Sequence, residues 1–198
     1  LLGAMQDVVF LTADGGLTWD VQVTPGLTFL NSGEFVNESI GFVMDADNVY
    51  KTTDGGISWT VTLPVTGGGV SKSIDFVNDS VGYVVSRYNG SYFAIIRTTD
   101  QGLSWDQRNV PPISYIYVGE MDFFNMDMGL LSSTATGGAS GIWRTSNGAL
   151  TWETDSIVAT LPLFKTDKAS DIVMVNETIN YAVLSGMIIK AGADNPPI

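Results

Sequence analysis

Carboxylates are the residues best able to do chemistry in this sequence. It holds 21 Asp plus Glu against nine Lys plus Arg, a formal charge of −12, with no His and no Cys. The missing types exclude zinc sites built on thiolate or imidazole, Cys nucleophiles and His-based triads. An acid pair of the glycosidase kind remains open, and it needs two carboxyl groups about 5–10 Å apart. Candidates are Glu34, Asp45, Asp47, Asp75, Glu120, Asp122, Asp127 and Asp171. Asp75 and Asp122 each stand one residue before a Phe in a recurring block. Recurrence at one position points to structure before catalysis. The sequence assigns no catalytic residue, no metal ligand and no cofactor. "DADN" at 45–48 is too short for a calcium loop.

The same charge argues against nucleic acid, whose phosphates need a basic face, and against docking on anionic lipid. No apolar run approaches the roughly 18 residues that span a bilayer, so no membrane insertion is expected. Few cations are available to meet a partner, and their placement is regular. Lys51, Arg97, Arg144 and Lys190 occupy one recurring position, with Leu11 in the remaining copy. By strand alternation they share a face with Val49, Ile95, Ile142 and Ile188. They are candidate binding residues, a basic arc for an acidic peptide or other carboxylate-bearing partner. The plainer reading is an apolar stem whose charged head pairs with a neighbouring Asp. Tyr88, Tyr92, Tyr115 and Tyr117, in or near the longer variable connections, are candidates to contact peptide or sugar; burial inside the fold is the alternative.

The elements that position these residues repeat. "FLTADGGLTW" at 10–19 returns as "YKTTDGGISW" at 50–59, "IRTTDQGLSW" at 96–105 and "WRTSNGALTW" at 143–152. The tryptophans Trp19, Trp59, Trp105 and Trp152 are 40, 46 and 47 residues apart. A second block precedes the turn: "FVNESIGF" at 35–42, "FVNDSVGY" at 76–83, "FFNMDMGL" at 123–130 and "MVNETINY" at 174–181. Within a unit, short β-rich runs alternate with turn residues. Over 72–110 these are "KSIDFVN", "VGYVVSR", "YFAIIRTT" and "LSWDQRNV". Four short antiparallel strands per 40–50 residues describe a β-propeller blade, and helical periodicity is absent.

The recurring turn explains its own composition. An Asp at its start accepts backbone N–H bonds from the residues that follow. The second Gly supplies a positive φ, the Thr or Ser two residues later adds a side-chain hydrogen bond, and the Trp enters the fourth strand as an apolar plug. Its carboxylate is thereby committed to the polypeptide. Three of the four sequons, at Asn37, Asn78 and Asn176, fall on the recurring Asn, and the fourth is Asn89. A turn accounts for that recurrence better than glycosylation does.

These residues resemble the Asp-box, or bacterial neuraminidase repeat, with its pattern S/T-x-D-x-G-x-T-W. Asp14, Gly16 and Trp19 match it, as do Asp54, Gly56, Trp59 and Asp100, Gly102, Trp105. The fourth copy keeps Thr145, Thr151 and Trp152, but has Asn147 for the Asp and Ala149 for the Gly, so a looser turn is expected there. Together with the F-x-N-x-x-x-G-aromatic block, the pattern looks most like the branch of photosystem II assembly and stability factors and their secreted bacterial relatives. That resemblance implies an arginine-rich patch for partner binding, by position only. Sialidases share the repeat but add an arginine triad, a Tyr–Glu pair and an Arg-Ile-Pro signature, which is missing here.

The expected fold is therefore all-β, a propeller or partial arc of four-stranded antiparallel blades. It forms one region over 1–198, with a partial blade at 1–24, blades at 27–63, 70–110 and 115–158, and a partial blade at 168–192. A segment of a larger ring is the preferred expectation. The expected function is a non-catalytic binding or scaffold module, exported (periplasmic, cell-surface or extracellular), with a protein or glycan partner. Further blades of a longer chain, or a second copy, could meet its ends. The alternative is a segment of a carbohydrate-active enzyme, glycosidase or sialidase-like.

Overall fold

In the computed structural model, residues 8–12, 14–23, 27, 29–65, 71–88, 92–111, 116–135, 140–154, 169–177, 180–184 and 187–191 are described. Their strands form five antiparallel sheets. Sheet 1 pairs β1 (Val8–Leu11) with β2 (Asp20–Val23). Sheet 2 runs β3 (Ser32–Phe35), β4 (Gly41–Met44), β5 (Asn48–Thr52) and β6 (Thr60–Pro64). Sheet 3 runs β7 (Ser71–Phe76), β8 (Gly82–Tyr88), β9 (Tyr92–Thr98) and β10 (Asp106–Arg108). Sheet 4 runs β11 (Ile116–Phe123), β12 (Gly129–Ala135), β13 (Ser140–Thr145) and β14 (Glu153–Thr154). Sheet 5 has β15 (Ala169–Met174), β16 (Asn180–Leu184) and β17 (Met187–Ala191). Each sheet is a meander in chain order, and no helix occurs among the described residues. The chain is all-β.

The apolar residues are buried between sheets. Phe42, Met44, Val49 and Leu63 of sheet 2 meet Ile74, Phe76, Val84 and Ile96 of sheet 3. Tyr83, Val85 and Ile95, on the other face of sheet 3, meet Val118, Met121, Phe123 and Leu131 of sheet 4. Leu130 and Ile142 then meet Ile172, Met174 and Ala182 of sheet 5. Sheets 3 and 4 are thus covered on both faces, and in sheet 2 Val43 and Tyr50 on the other face pack against Leu27, which is why β4 is buried at every residue instead of alternating. Aromatic rings mark the first two of these contacts. Phe42 stacks on Phe76 at 4.0 Å and Tyr83 on Phe123 at 3.6 Å. The turn tryptophan of the same sheet meets each of these phenylalanines edge-on, Trp105 at 6.4 Å and Trp152 at 6.4 Å.

The Gly of the F-x-N-x-x-x-G block has a packing cause. Phe35, Phe76 and Phe123 lie directly across the first strand pair from Gly41, Gly82 and Gly129. Each ring covers its glycine so closely that a Cβ at Gly82 would come within 2.5 Å of the Phe76 ring. The Asn between them caps the connection: Asn37, Asn78 and Asn125 Oδ1 each accept two backbone N–H bonds, at 2.9 to 3.0 Å.

Gly82→Ala is therefore expected to destabilise the fold by about 1–3 kcal/mol through overpacking, read from urea unfolding midpoints. Adding Phe76→Leu to that variant should recover part of the loss; additive losses would show that the ring is not the obstacle.

Candidate functional site

The turns come first, because they use up the most regular acids. Asp14 Oδ1 accepts from Leu17 N at 3.0 Å and Thr18 N at 2.9 Å, and Oδ2 accepts from Thr18 Oγ1 at 2.6 Å. Asp54 holds Ser58 N at 2.9 Å and Ser58 Oγ at 2.5 Å, and Asp100 holds Ser104 in the same way. The opening Thr reinforces each turn: Thr12, Thr52 and Thr98 donate to the carboxylate and accept from the Gly amide two residues beyond it. These hydrogen bonds, the Thr or Ser hydroxyl foremost, hold Asp14 and Asp54 down at about 2, and Asp100 is lowered for the same reason.

One expectation about the turn is extended and one is corrected. The second glycine takes the positive φ expected of it, and the residue before it does so as well: Gly15 and Gly16 at 72° and 91°, and Gln101 and Gly102 at 61° and 78°. The fourth copy, moreover, is no looser. Asn147 Oδ1 accepts from Leu150 N at 3.1 Å and Thr151 N at 2.9 Å, its Nδ2 donates to Thr151 Oγ1, and Ala149 takes φ 66° while fully buried.

Glu34, Asp75, Asp122 and the recurring cations belong to one register row. In sheet 2, Glu34, Phe42 and Lys51 lie side by side across three strands. Asp75, Tyr83 and Arg97 do so in sheet 3, and Asp122, Leu130 and Arg144 in sheet 4. The acid of each row crosses to the next sheet and accepts a backbone N–H there. Glu34 takes Phe76 N at 2.8 Å, Asp75 takes Phe123 N at 2.5 Å and Asp122 takes Met174 N at 2.6 Å. The sequence placed Asp75 and Asp122 in register but missed Glu34 as their equivalent and missed the amide each one serves; the acid directly before Phe in three copies was the available signal.

The cations cross in the same direction. Lys51 Nζ lies 5.7 Å from the Phe42 ring centroid and donates to Gln101 O, in the next sheet's turn, at 2.9 Å. Arg97 lies 5.6 Å from the Tyr83 ring, whose hydroxyl donates to Met126 O of sheet 4. Arg144 donates to Glu177 O of sheet 5. The heads of Lys51 and Arg144 thus meet backbone carbonyls, not the neighbouring Asp that the plainer sequence reading foresaw. Lys190 sits opposite Tyr181 in the same register.

Other candidates scatter. Asp45 is buried and accepts from Asp47 N, Asn48 N and the Tyr50 hydroxyl, at 2.7 to 2.8 Å. Tyr88 pairs with Tyr92 at the end of β8–β9, and Tyr117 with Thr134 in β11–β12. Tyr115 lies outside the described residues. Among the described residues no group of three acids is placed to hold a metal ion, and no helix is long and apolar enough to cross a membrane.

Burial drives the row acids upward. Asp75 is raised to about 7 by burial first and then by Asp122 and Glu34, against the pull of the Phe123 amide. Glu34 and Asp122 are raised by burial as well. Burial also pushes the Tyr83 hydroxyl up to about 12, although Arg97 and Arg108 oppose it.

The chain matches no known family model and no curated protein. Its fold has solved counterparts. The structure of YCF48 bound to D1 peptide is similar over 87% of this chain and 67% of its own, with a TM-score of 0.53 and 16% identity. YCF48 from Cyanidioschyzon merolae is similar over 93% of this chain and 63% of its own, at 0.65 and 11%. The GH74 xyloglucanase from Xanthomonas campestris is similar over 86% of this chain but only 28% of its own, at 0.57 and 15%. The chain therefore spans between about a quarter and two thirds of these counterparts. At such identities the likeness establishes the architecture, and the five sheets are the blades of a β-propeller fold.

The two classes of acid oppose each other in pH dependence. Asp75 is raised in the folded protein, so its contribution is fully present below its ordinary value of 3.8 and is lost as pH rises through about 7. The turn acids are lowered, so theirs is present above 3.8 and is lost as pH falls through about 2. The thermal midpoint is expected to rise on acidification from pH 8 to about 4–5 and to fall below pH 3. Asp75→Asn should flatten the upper limb, worth at most about 4 kcal/mol at about 1.4 kcal/mol per unit. An unchanged upper limb in that variant would assign it to other groups.

Proposed function

We propose that this chain is an Asp-box propeller segment, of the branch that includes the photosystem II assembly factors, and acts as a non-catalytic binding scaffold. The partner is a protein, engaged through the variable loops and one propeller face. One observation carries the reading: the recurring carboxylates are already committed. Asp14, Asp54 and Asp100 hold their own turns, and Glu34, Asp75 and Asp122 hold the amides of the next blade. A counterpart of the same fold is bound to a peptide, which supports the choice of a protein partner. Export to the periplasm, cell surface or surrounding medium fits the resemblance of the repeat to that of secreted bacterial proteins.

The second reading is a segment of a carbohydrate-active enzyme. The xyloglucanase likeness favours it, as does Asp75, a carboxyl raised into the range of a general acid. Against it, Asp75 shares its row with Tyr83 and Arg97 and already accepts an amide proton.

The two readings separate in one experiment. Incubation with xyloglucan and with sialyllactose is expected to release no reducing sugar, while an array of short acidic and neutral peptides should retain the protein at discrete sequences. Sugar release that disappears in both Asp75→Asn and Asp122→Asn would replace the scaffold with an enzyme.

A further inference from the structure

The repeat supplies its own control, because one contact between blades can be compared with the next. Between blades 2 and 3 the outer strand is sealed. Leu63, opposite Val49, is buried in the core shared with blade 3. Thr62 Oγ1 donates to Gly102 O and accepts from Trp105 Nε1. Between blades 3 and 4 the corresponding place is open. Arg108 stands opposite Ile95, where Leu63 stands opposite Val49. The seal has moved one residue along, to Asn109. Its N–H and Nδ2 donate to Ala149 O and Leu150 O, and its carbonyl accepts from Trp152 Nε1 at 2.8 Å. A groove of about 460 Å³ remains, walled by Phe93, Val110, Leu150 and Trp152, with Gln107, Arg108, Asn109 and Thr151 as its polar lining.

Arginine in place of a core leucine is costly unless something answers its charge. Arg108 is half-buried, and its Nε is buried with no hydrogen-bond partner among the described residues. The nearby Tyr83 hydroxyl donates to Met126 O instead. Asn109 commits its N–H, an Nδ2 hydrogen and its carbonyl to blade 4, and Arg108 alone among the lining residues carries a positive charge, so Arg108 is the group to meet an anion. Its planar fork suits a carboxylate, and the walls suit an apolar neighbour of that carboxylate. In a chain of formal charge −12 the general field repels anions, so an anion must be drawn by a local contact of this kind. The volume falls within the about 300–1,000 Å³ of small-ligand clefts, enough for a few residues of extended peptide.

We infer that the groove between blades 3 and 4 is a binding site for a peptide segment carrying a carboxylate beside an apolar side chain, with Arg108 gripping the carboxylate. The choice of a peptide rests on the scaffold reading given above.

The probes are Ac-Leu-Asp-Leu-NH2, Ac-Leu-Asn-Leu-NH2 and Ac-Leu-Leu with a free C-terminal carboxylate, titrated into the whole chain by ¹H–¹⁵N NMR. At least one carboxylate probe is expected to bind saturably and shift the amides of 107–110 and 149–152; whichever binds tells an acidic side chain from a chain terminus. The Asn probe should bind roughly ten- to a hundredfold more weakly, as should Arg108→Leu toward the carboxylate probe. Arg108→Leu restores the residue type of the sealed contact, so its thermal midpoint should not fall. Arg108→Lys, which lacks the fork, should be intermediate. Equal saturable binding of the Asp and Asn probes, binding unchanged in Arg108→Leu, or no saturation by either carboxylate probe overturns the proposal. Discrete retention on the peptide array by the Arg108→Leu variant would leave the scaffold reading standing without this groove.

Discussion

A sheet with two apolar faces is not stable alone in water, so everything in this fold serves the contact between one blade and the next. Three interactions make up that contact, and they differ in what they supply. Burial of Phe42 against Phe76 and of Tyr83 against Phe123 provides the free energy, with stacked rings adding about 0.5–1.5 kcal/mol each beyond the area removed from water. The carboxylate-to-amide bonds of Glu34, Asp75 and Asp122 supply position. Asp75 raised to about 7 means that burial costs its charged form more than the Phe123 amide returns. An acid retained against such a cost is explained better by fixing which amide meets which strand than by stability. The cation closes the far end of the row, where Lys51 and Arg144 reach carbonyls of the following blade.

The turn serves the same contact from outside. Its Asp side chain faces water and holds only its own loop, while its backbone carries the consequences inward. Two successive positive φ angles turn the Gln101 carbonyl toward Lys51 and bring Gly102 against Phe42. The Asn-capped connection supports it, since Gly55 N, Gln101 N and Gly148 N donate to Ser39 O, Ser80 O and Asp127 O within their own blades. The Asn147–Ala149 copy shows which chemistry the turn requires. An amide oxygen replaces the carboxylate without loss of a backbone contact, and a methyl replaces hydrogen at positive φ where it is buried beside Tyr83. Charge is thus dispensable to the turn, and the acceptor is not. Gln101 and Ala149 show in addition that either glycine position can carry a side chain when the surrounding contacts hold it.

The all-β class and the period were legible because both are written in local chemistry. Trp, Thr and Asp at fixed offsets mark a turn, and Val, Ile and aromatic runs mark strands on either side of it. The contacts between blades were not legible. That Asp75 serves Phe123, 48 residues on, depends on which face of β7 looks forward, and alternation gives two faces without saying which is which. The Gly of the second block was visible as a recurrence, but its cause, the Phe ring lying on it, appears only once the cross-strand register is known. The cations were found in register and assigned to Asp partners, since opposite charge is the partner a sequence can suggest. A carbonyl is available on every residue and therefore leaves no mark. Arg108 passed unnoticed for a related reason: the bulge at Val49/Tyr50 shifts the outer strand of blade 2 by one residue, so counting from the tryptophan aligns Arg108 with Thr62 and hides that it replaces Leu63.

Repetition separates what the fold requires from what it merely permits. A residue found at every copy is held there by the contact it makes, so the positions free to acquire a role are those where one copy departs and the others do not. Arg108 is one such departure. Val173 is another, standing in blade 5 where Glu34, Asp75 and Asp122 stand in the others, beside Tyr181 in the row that Lys190 completes. It is 45% exposed and has no carboxylate to offer an amide. The row that elsewhere begins with an acid gripping the following strand begins here with an apolar side chain. The amide of a strand laid along this face would find no carboxylate at the start of the row to set its register.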